Sequence, residues 1–161
     1  MLHDFGDEDL SFISEADMHA CLACHYRGIL KYVKLVFFNP AYPMNNNLRC
    51  WEHDLENVYI VENSAWIPVH KLYILDTLIL DAWGRIAEYY YRMYDDMNAL
   101  ECFKGSLATE ESFSRIEEFI GDYELLCTGE LPMMYSDIRT DLFAKIRILS
   151  RNQNLFCSVN I

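Results

Sequence analysis

Apolar side chains recur at helical spacing along most of the chain, and polar or turn-forming residues mark where that rhythm stops. Ser14, with Asp17 three residues on, has the form of a helix N-cap with a supporting acid. From there Met18, Cys21, Leu22, His25, Ile29, Val33 and Val36 keep near the helical period and predict a helix over 16–38. Gly28 is placed to kink or split it, and the β-branched and aromatic run 32–38 suits a strand as well as a helix end. Pro40, Pro43 and the asparagines at 45–47 predict a loop. Beyond it, Leu48, Trp51, Leu55, Val58 and Tyr59 fall on one face of a second helix, ended by Asn63 and Ser64.

Pro68 suits the first turn of a third helix, with Leu72, Leu75, Leu78 and Ile79 as its apolar side. Asp81 is a cap for a fourth, running from Trp83 to about Phe103 and stopping before Gly105. Thr109, followed by Glu110 and Glu111, opens a fifth. Its stripe is Phe113, Ile116, Phe119, Ile120, Tyr123 and Leu126, and Thr128 and Gly129 close it. Pro132 opens a sixth, with Ile138, Leu142, Phe143, Ile146 and Leu149 inward. Residues 1–13 read as a loose acidic segment, and 151–161 as a polar tail with a small apolar cluster. With no internal repeat and no dividing linker, 1–161 reads as a single all-α domain.

Composition narrows the function classes. The 161 residues are 52% hydrophobic, enough to bury a core. A formal charge of -12 repels phosphate backbones and anionic membrane surfaces, so nucleic acid is not an expected partner. The acidic start lacks the basic-then-apolar form of a signal peptide. The longest apolar run, 72–83, is short for a bilayer and contains Asp76 and Asp81. The expectation is a cytosolic chain without a membrane anchor, its six cysteines reduced.

Cys21-Leu22-Ala23-Cys24-His25 has the pattern of covalent haem attachment, which needs an exported, oxidising setting that nothing else here suggests. Cys21, Cys24, Cys50 and His53, with His25 or His19 as substitutes, supply a zinc set if the fold gathers them. Cys21 and Cys24 lie in a helical stripe, however, and Cys is among the most buried residue types. No metal or cofactor is therefore expected. No phosphate loop, metal-protease helix or nucleophile elbow is present, and the chain is not expected to be an enzyme.

Asp81-Ala82-Trp83-Gly84-Arg85-Ile86, followed by Tyr89-Tyr90-Tyr91, resembles the first homology motif of the Bcl-2 family, Asn-Trp-Gly-Arg-Ile or Val and then aromatics on one helix. Ser114-Arg115-Ile116, with Phe119 and Tyr123, resembles the family's next helix. Pro132, Asp141 and Phe143 fall at the spacing of its second homology motif. The resemblance covers roughly the C-terminal half. It implies a Bcl-2-like helical bundle with a central hydrophobic helix and a surface ligand groove. The ligand implied is the amphipathic homology-3 (BH3) helix of a pro-apoptotic protein, sequestered so that mitochondrial permeabilisation does not begin. A short, anchorless member resembles the viral ones, which implies an inhibitor in the host cytosol, reaching mitochondria through its partners.

The residue chemistry suits that assignment. Gly84 lets backbones approach closely, and Arg85 presents a planar fork to the ligand's Asp. Trp83 would anchor the helix in the core, and Leu55, Val58, Tyr59, Leu75, Leu78 and Ile79 are candidate apolar walls. Glu88 and Arg92 share the helical face of Arg85, and Tyr89 is a rim aromatic. The departures are Ala82 for the family's Asn, and Ile138, Arg139 and Thr140 for the paired glycines and Trp of the second motif. A groove floor carrying Glu88 and Arg92 is more polar than usual and favours a narrow choice of ligands. The plainer reading of Arg85 is a surface pair with Asp81 or Glu88, and of Glu88 with Arg92 an ordinary intrahelical pair. Competing functions are a Bcl-2-like fold turned to another host target such as an innate-immune adaptor, a zinc-stabilised regulatory module, and an acidic decoy for a basic enzyme surface. The many aromatics leave room for a homodimer.

Overall fold

The computed structural model describes residues 1–159, with side chains as far as 153; the apolar cluster expected in the tail lies outside the described side chains. In chain order the elements are α1 (Glu15–Ala23), α2 (Tyr26–Phe37), a 3-10 turn (Pro43–Asn45), β1 (Leu48–Arg49), β2 (Asn57–Glu62), β3 (Ala65–His70), α3 (Lys71–Tyr94), α4 (Met97–Ser106), α5 (Glu110–Cys127) and α6 (Tyr135–Val159). The chain is mainly helical but not all-α, because β1, β2 and β3 form an antiparallel sheet in that order.

α3 is the hub: α1, α2, α4, α5, α6 and strands β2 and β3 all pack against it. That follows from its sequence. Ile74, Leu75, Leu78, Ile79, Ala82, Trp83, Ile86, Ala87, Tyr89, Tyr90 and Met93 are buried, a stripe wider than one helix can cover. The third and fourth helices expected from the sequence are thus one. Asp81 sits inside it rather than at a cap, with Arg85 one turn away. The chain breaks instead after Tyr94, where the Asp96 side chain accepts from the amides of Asn98 and Ala99 and starts α4.

The ends of α1 and α5 match their sequence signals. Ser14 and Asp17 form a reciprocal capping box, and the Thr109 side chain accepts from the Ser112 amide. The expected 16–38 helix is split at Cys24–His25. There Gly28 packs so tightly on the previous helix that a Cβ would stand 2.0 Å from the Cys21 carbonyl oxygen. The run 32–38 is helical through Phe37, since Tyr32, Val33, Val36 and Phe37 all turn inward on α2. α6 begins at Tyr135, three residues after Pro132, and Ile138, Leu142 and Ile146 are buried.

The helix expected over 48–59 is the largest correction. Val58-Tyr59-Ile60-Val61 is a β-branched and aromatic run that pairs with β3 through a two-residue turn. Asn63 and Ser64 hold that turn with φ of 51° and 64°, as a hairpin of this length requires. Pro68 is likewise in a strand. On the edge strand β3 it pairs with Tyr59 of β2, three positions along from the Glu62–Ala65 pair that closes the hairpin, a non-hydrogen-bonded pair, so its missing N–H points to the open edge. A proline there also blunts that edge against further pairing.

Residues 1–13 are fastened rather than loose. The Asn47 amide donates to the carbonyls of His3 and Asp4 and to Glu8, and Asn45 exchanges hydrogen bonds with the Asp9 backbone. The Phe5 amide donates to the Val61 carbonyl, and its ring stacks on Phe37. The Asp4 carboxylate accepts from the amides of the hairpin turn, Asn63 and Ser64. Among the described residues, no helix is long and apolar enough to cross a membrane.

Candidate functional site

The Trp83-Gly84-Arg85 turn sits midway along α3 and sends its three residues to different places. Trp83 is fully buried, stacks on Phe119 of α5 at 5.1 Å, and donates its indole N–H to the Phe119 carbonyl. Gly84 also faces α5: a Cβ there would lie 2.9 Å from the Tyr123 hydroxyl. Its lack of a side chain serves helix–helix packing, not a groove floor. Arg85 points the other way, half exposed, and pairs with Asp81 at 3.3 Å.

Arg85, Glu88 and Arg92 line one small cleft of about 190 Å³. Its other walls are Met18 of α1, Tyr32 of α2, and Leu10 and Ile13 of the N-terminal arm. Arg92 reaches Glu15 at 3.8 Å and lies over the Tyr89 ring at 5.9 Å. Tyr89 is buried under it. Burial holds the Tyr32 phenol above its ordinary range, an effect the Arg85 charge partly offsets. Among the described residues the Tyr32 hydroxyl has no hydrogen-bond partner.

The remaining wall residues are not brought to Arg85. Val58, Leu75, Leu78 and Ile79 are buried in the core, so they cannot line a surface groove in this arrangement. The reason is coverage: a stripe that an isolated helix would expose is packed under α1, α2, α6 and the sheet. Leu55 and Tyr59 lie at a second cleft, of about 820 Å³, with Trp51, Glu52, His53, Asp54 and Glu56. Lys71, whose ammonium donates to the Leu55 carbonyl, is 14 residues before Arg85, about 21 Å along α3. The loop at this second cleft is fixed by Asp54, whose pKa is lowered to about 2 by hydrogen bonds from Asn57, the Glu56 amide and Tyr59.

A third cleft, of about 500 Å³, lies where the α1–α2 joint meets α5 and α6. His25 forms one wall with φ of 43°, its buried Nδ1 without a partner among the described residues, and Arg27, Arg115, Glu118, Asp137 and Asp141 line the same cleft. Arg115 and Asp141, two of the residues carrying the family resemblance, are therefore here and not beside Arg85. Arg139, standing in the second motif, instead grips Asp76 of α3 with two bonds of 2.7 and 2.8 Å, and Tyr135 donates to the same carboxylate.

The zinc set does not assemble. Among the described residues, no three of His, Cys, Asp and Glu are grouped to hold a metal. Cys21 is packed inside α1 and Cys50 behind β1, and burial raises each thiol to about 11. A thiol held protonated is a poor ligand.

Sequence reasoning misses Leu10, Ile13 and Tyr32 as lining residues. The first two belong to a segment whose acidity hides its apolar residues Phe5, Leu10, Phe12 and Ile13. Tyr32 lies inside an apolar run where nothing marks its hydroxyl as unpaired. Compared with protein-family models, with curated proteins and with solved structures, the chain matches none.

Proposed function

We propose that this chain is an anti-apoptotic binding protein that holds the BH3 helix of a pro-apoptotic partner against α3, with Arg85 pairing the helix's acidic residue. The observation that supports this best is the division of labour in the Trp83–Arg85 turn. The indole is locked in the core, which fixes the helix, while the half-exposed Arg85 lines a cleft to which Leu10, Ile13 and Met18 add apolar side chains. An amphipathic helix needs both, a cation for its acid and an apolar seat beside it. In this reading the helices around α3 form a Bcl-2-like bundle, the sheet is this chain's own addition, and the protein acts in the host cytosol. The seat is walled by Leu10, Ile13 and Met18 rather than by the buried stripe of α3, and a cleft this small favours few ligands.

Calorimetric titration of a panel of BH3 peptides tests the proposal. Tight binding is expected for one or a few peptides, about -12 kcal/mol if nanomolar. Arg85→Ala should weaken it by about 2–5 kcal/mol, because the ligand's acid is left buried without its partner. Broad tight binding across the panel would contradict the narrow seat. Failure of every peptide would remove the anti-apoptotic reading and favour a fold turned to another target, such as an innate-immune adaptor.

A further inference from the structure

Tyr32 is 1% exposed, and among the described residues its buried hydroxyl has no hydrogen-bond partner. Folds seldom keep a buried hydroxyl unpaired, because its lost hydration is not replaced. The same residue lines the Arg85 cleft, together with Met18, Leu10 and Ile13. Three elements thus converge on one orphan donor and one guanidinium. Arg85 holds only a loose, exposed pair with Asp81, of the kind that contributes little.

We propose that the Tyr32 hydroxyl is the second donor for the ligand's carboxylate. Arg85 binds that group from the rim and Tyr32 from the floor. The occupant is an acidic side chain on a peptide, with an aliphatic neighbour lying against Leu10 and Ile13. Binding exchanges Asp81 for the ligand's carboxylate on Arg85. Glu88 faces the same cleft and Glu15 holds Arg92, so a second acid beside the first is repelled. The inference rests on the reading that the Arg85 cleft is the partner's seat, and it adds a residue and a geometry which that reading does not contain.

Tyr32→Phe separates a binding role from a structural one. Removing an unpaired hydroxyl should leave the thermal midpoint unchanged or raise it. Affinity for the tightest BH3 peptide should nevertheless fall about tenfold or more, since a charge-assisted hydrogen bond is lost. The same peptide with its central Asp replaced by Asn should bind the wild type weakly and be nearly indifferent to Tyr32→Phe. If Tyr32→Phe keeps full affinity while Arg85→Ala loses it, the second donor is wrong and the seat stands. A lowered thermal midpoint in Tyr32→Phe would show that the hydroxyl has an internal partner and would overturn the inference. If no peptide binds the wild type, the seat and the second donor fall together.

Discussion

The seam between α3 and α5 is held by rings. The Trp83 ring lies within about 6 Å of the rings of Phe119, Tyr26 and Tyr123, and its buried N–H has an acceptor. The N-terminal arm is attached by different means. Beside one ring contact, Phe5 on Phe37, its buried fasteners are two asparagines, Asn45 and Asn47, 1% and 0% exposed, whose amides bond the arm's backbone. Apolar packing of the first kind is non-directional and spreads over the whole core. Hydrogen-bonded attachment of the second kind is local and depends on single atoms. The two regions should therefore fail differently when cut.

Trp83→Ala is expected to have the largest effect. It removes the largest fully buried side chain and the indole hydrogen bond to the Phe119 carbonyl. The cost should be about 3–5 kcal/mol, a large part of the roughly 5–15 kcal/mol that holds a domain of ordinary stability. Urea unfolding followed by far-ultraviolet dichroism should show the whole transition moving to lower denaturant. A shift confined to α5, with the rest unmoved, would mean that the seam is not part of the common core.

Asn47→Ala should cost less, about 1–3 kcal/mol, because the carbonyls of His3 and Asp4 lose their buried donor. The loss should be local. Hydrogen exchange should quicken at the His3 and Phe5 amides, which bond Met44 and Val61, while amides of α3 keep their protection. Uniform loss of protection would erase the distinction between arm and seam.

The same contrast explains what could be read from the sequence. The stripe of α5, the inward face of α6 and the caps at Ser14 and Thr109 are legible, since each depends on residues within a few positions of one another. The sheet is not, because Leu48, Trp51 and Leu55 fall by coincidence at helical spacing and mask the strand signal of residues 58–61. The arm is not, because its fasteners are asparagines, a residue type that also signals loops. At the candidate site Arg85 is legible from its neighbours Trp83 and Gly84. Its surroundings are not: whether Leu75, Leu78 and Ile79 face solvent or core depends on segments distant in sequence that cover them. The true lining, Leu10, Ile13 and Tyr32, comes from two such segments.

The smallest expected effect lies at the joint after α1, where the arm's fastening passes into the packed core. His25 holds a positive φ of 43°, with Nδ1 buried and unpaired among the described residues. Its pKa is lowered, first by burial and then by the nearby Arg115 and Arg27 charges, against a smaller opposing pull from Glu118. In the unfolded chain the ring returns to about 6.5. As pH falls through that value, the unfolded state takes up the proton first, so this contribution to stability is whole above the unfolded pKa and is lost on acidification. Carboxylates titrate mostly lower, near 4, so the window between pH 7.5 and 5.5 isolates the imidazole from them. His25→Asn keeps a polar side chain of a type that, like His, is enriched at positive φ and removes the titration. Its urea midpoint should change less across that window than the wild type's. An equal change in both proteins would place the pH dependence elsewhere in the chain.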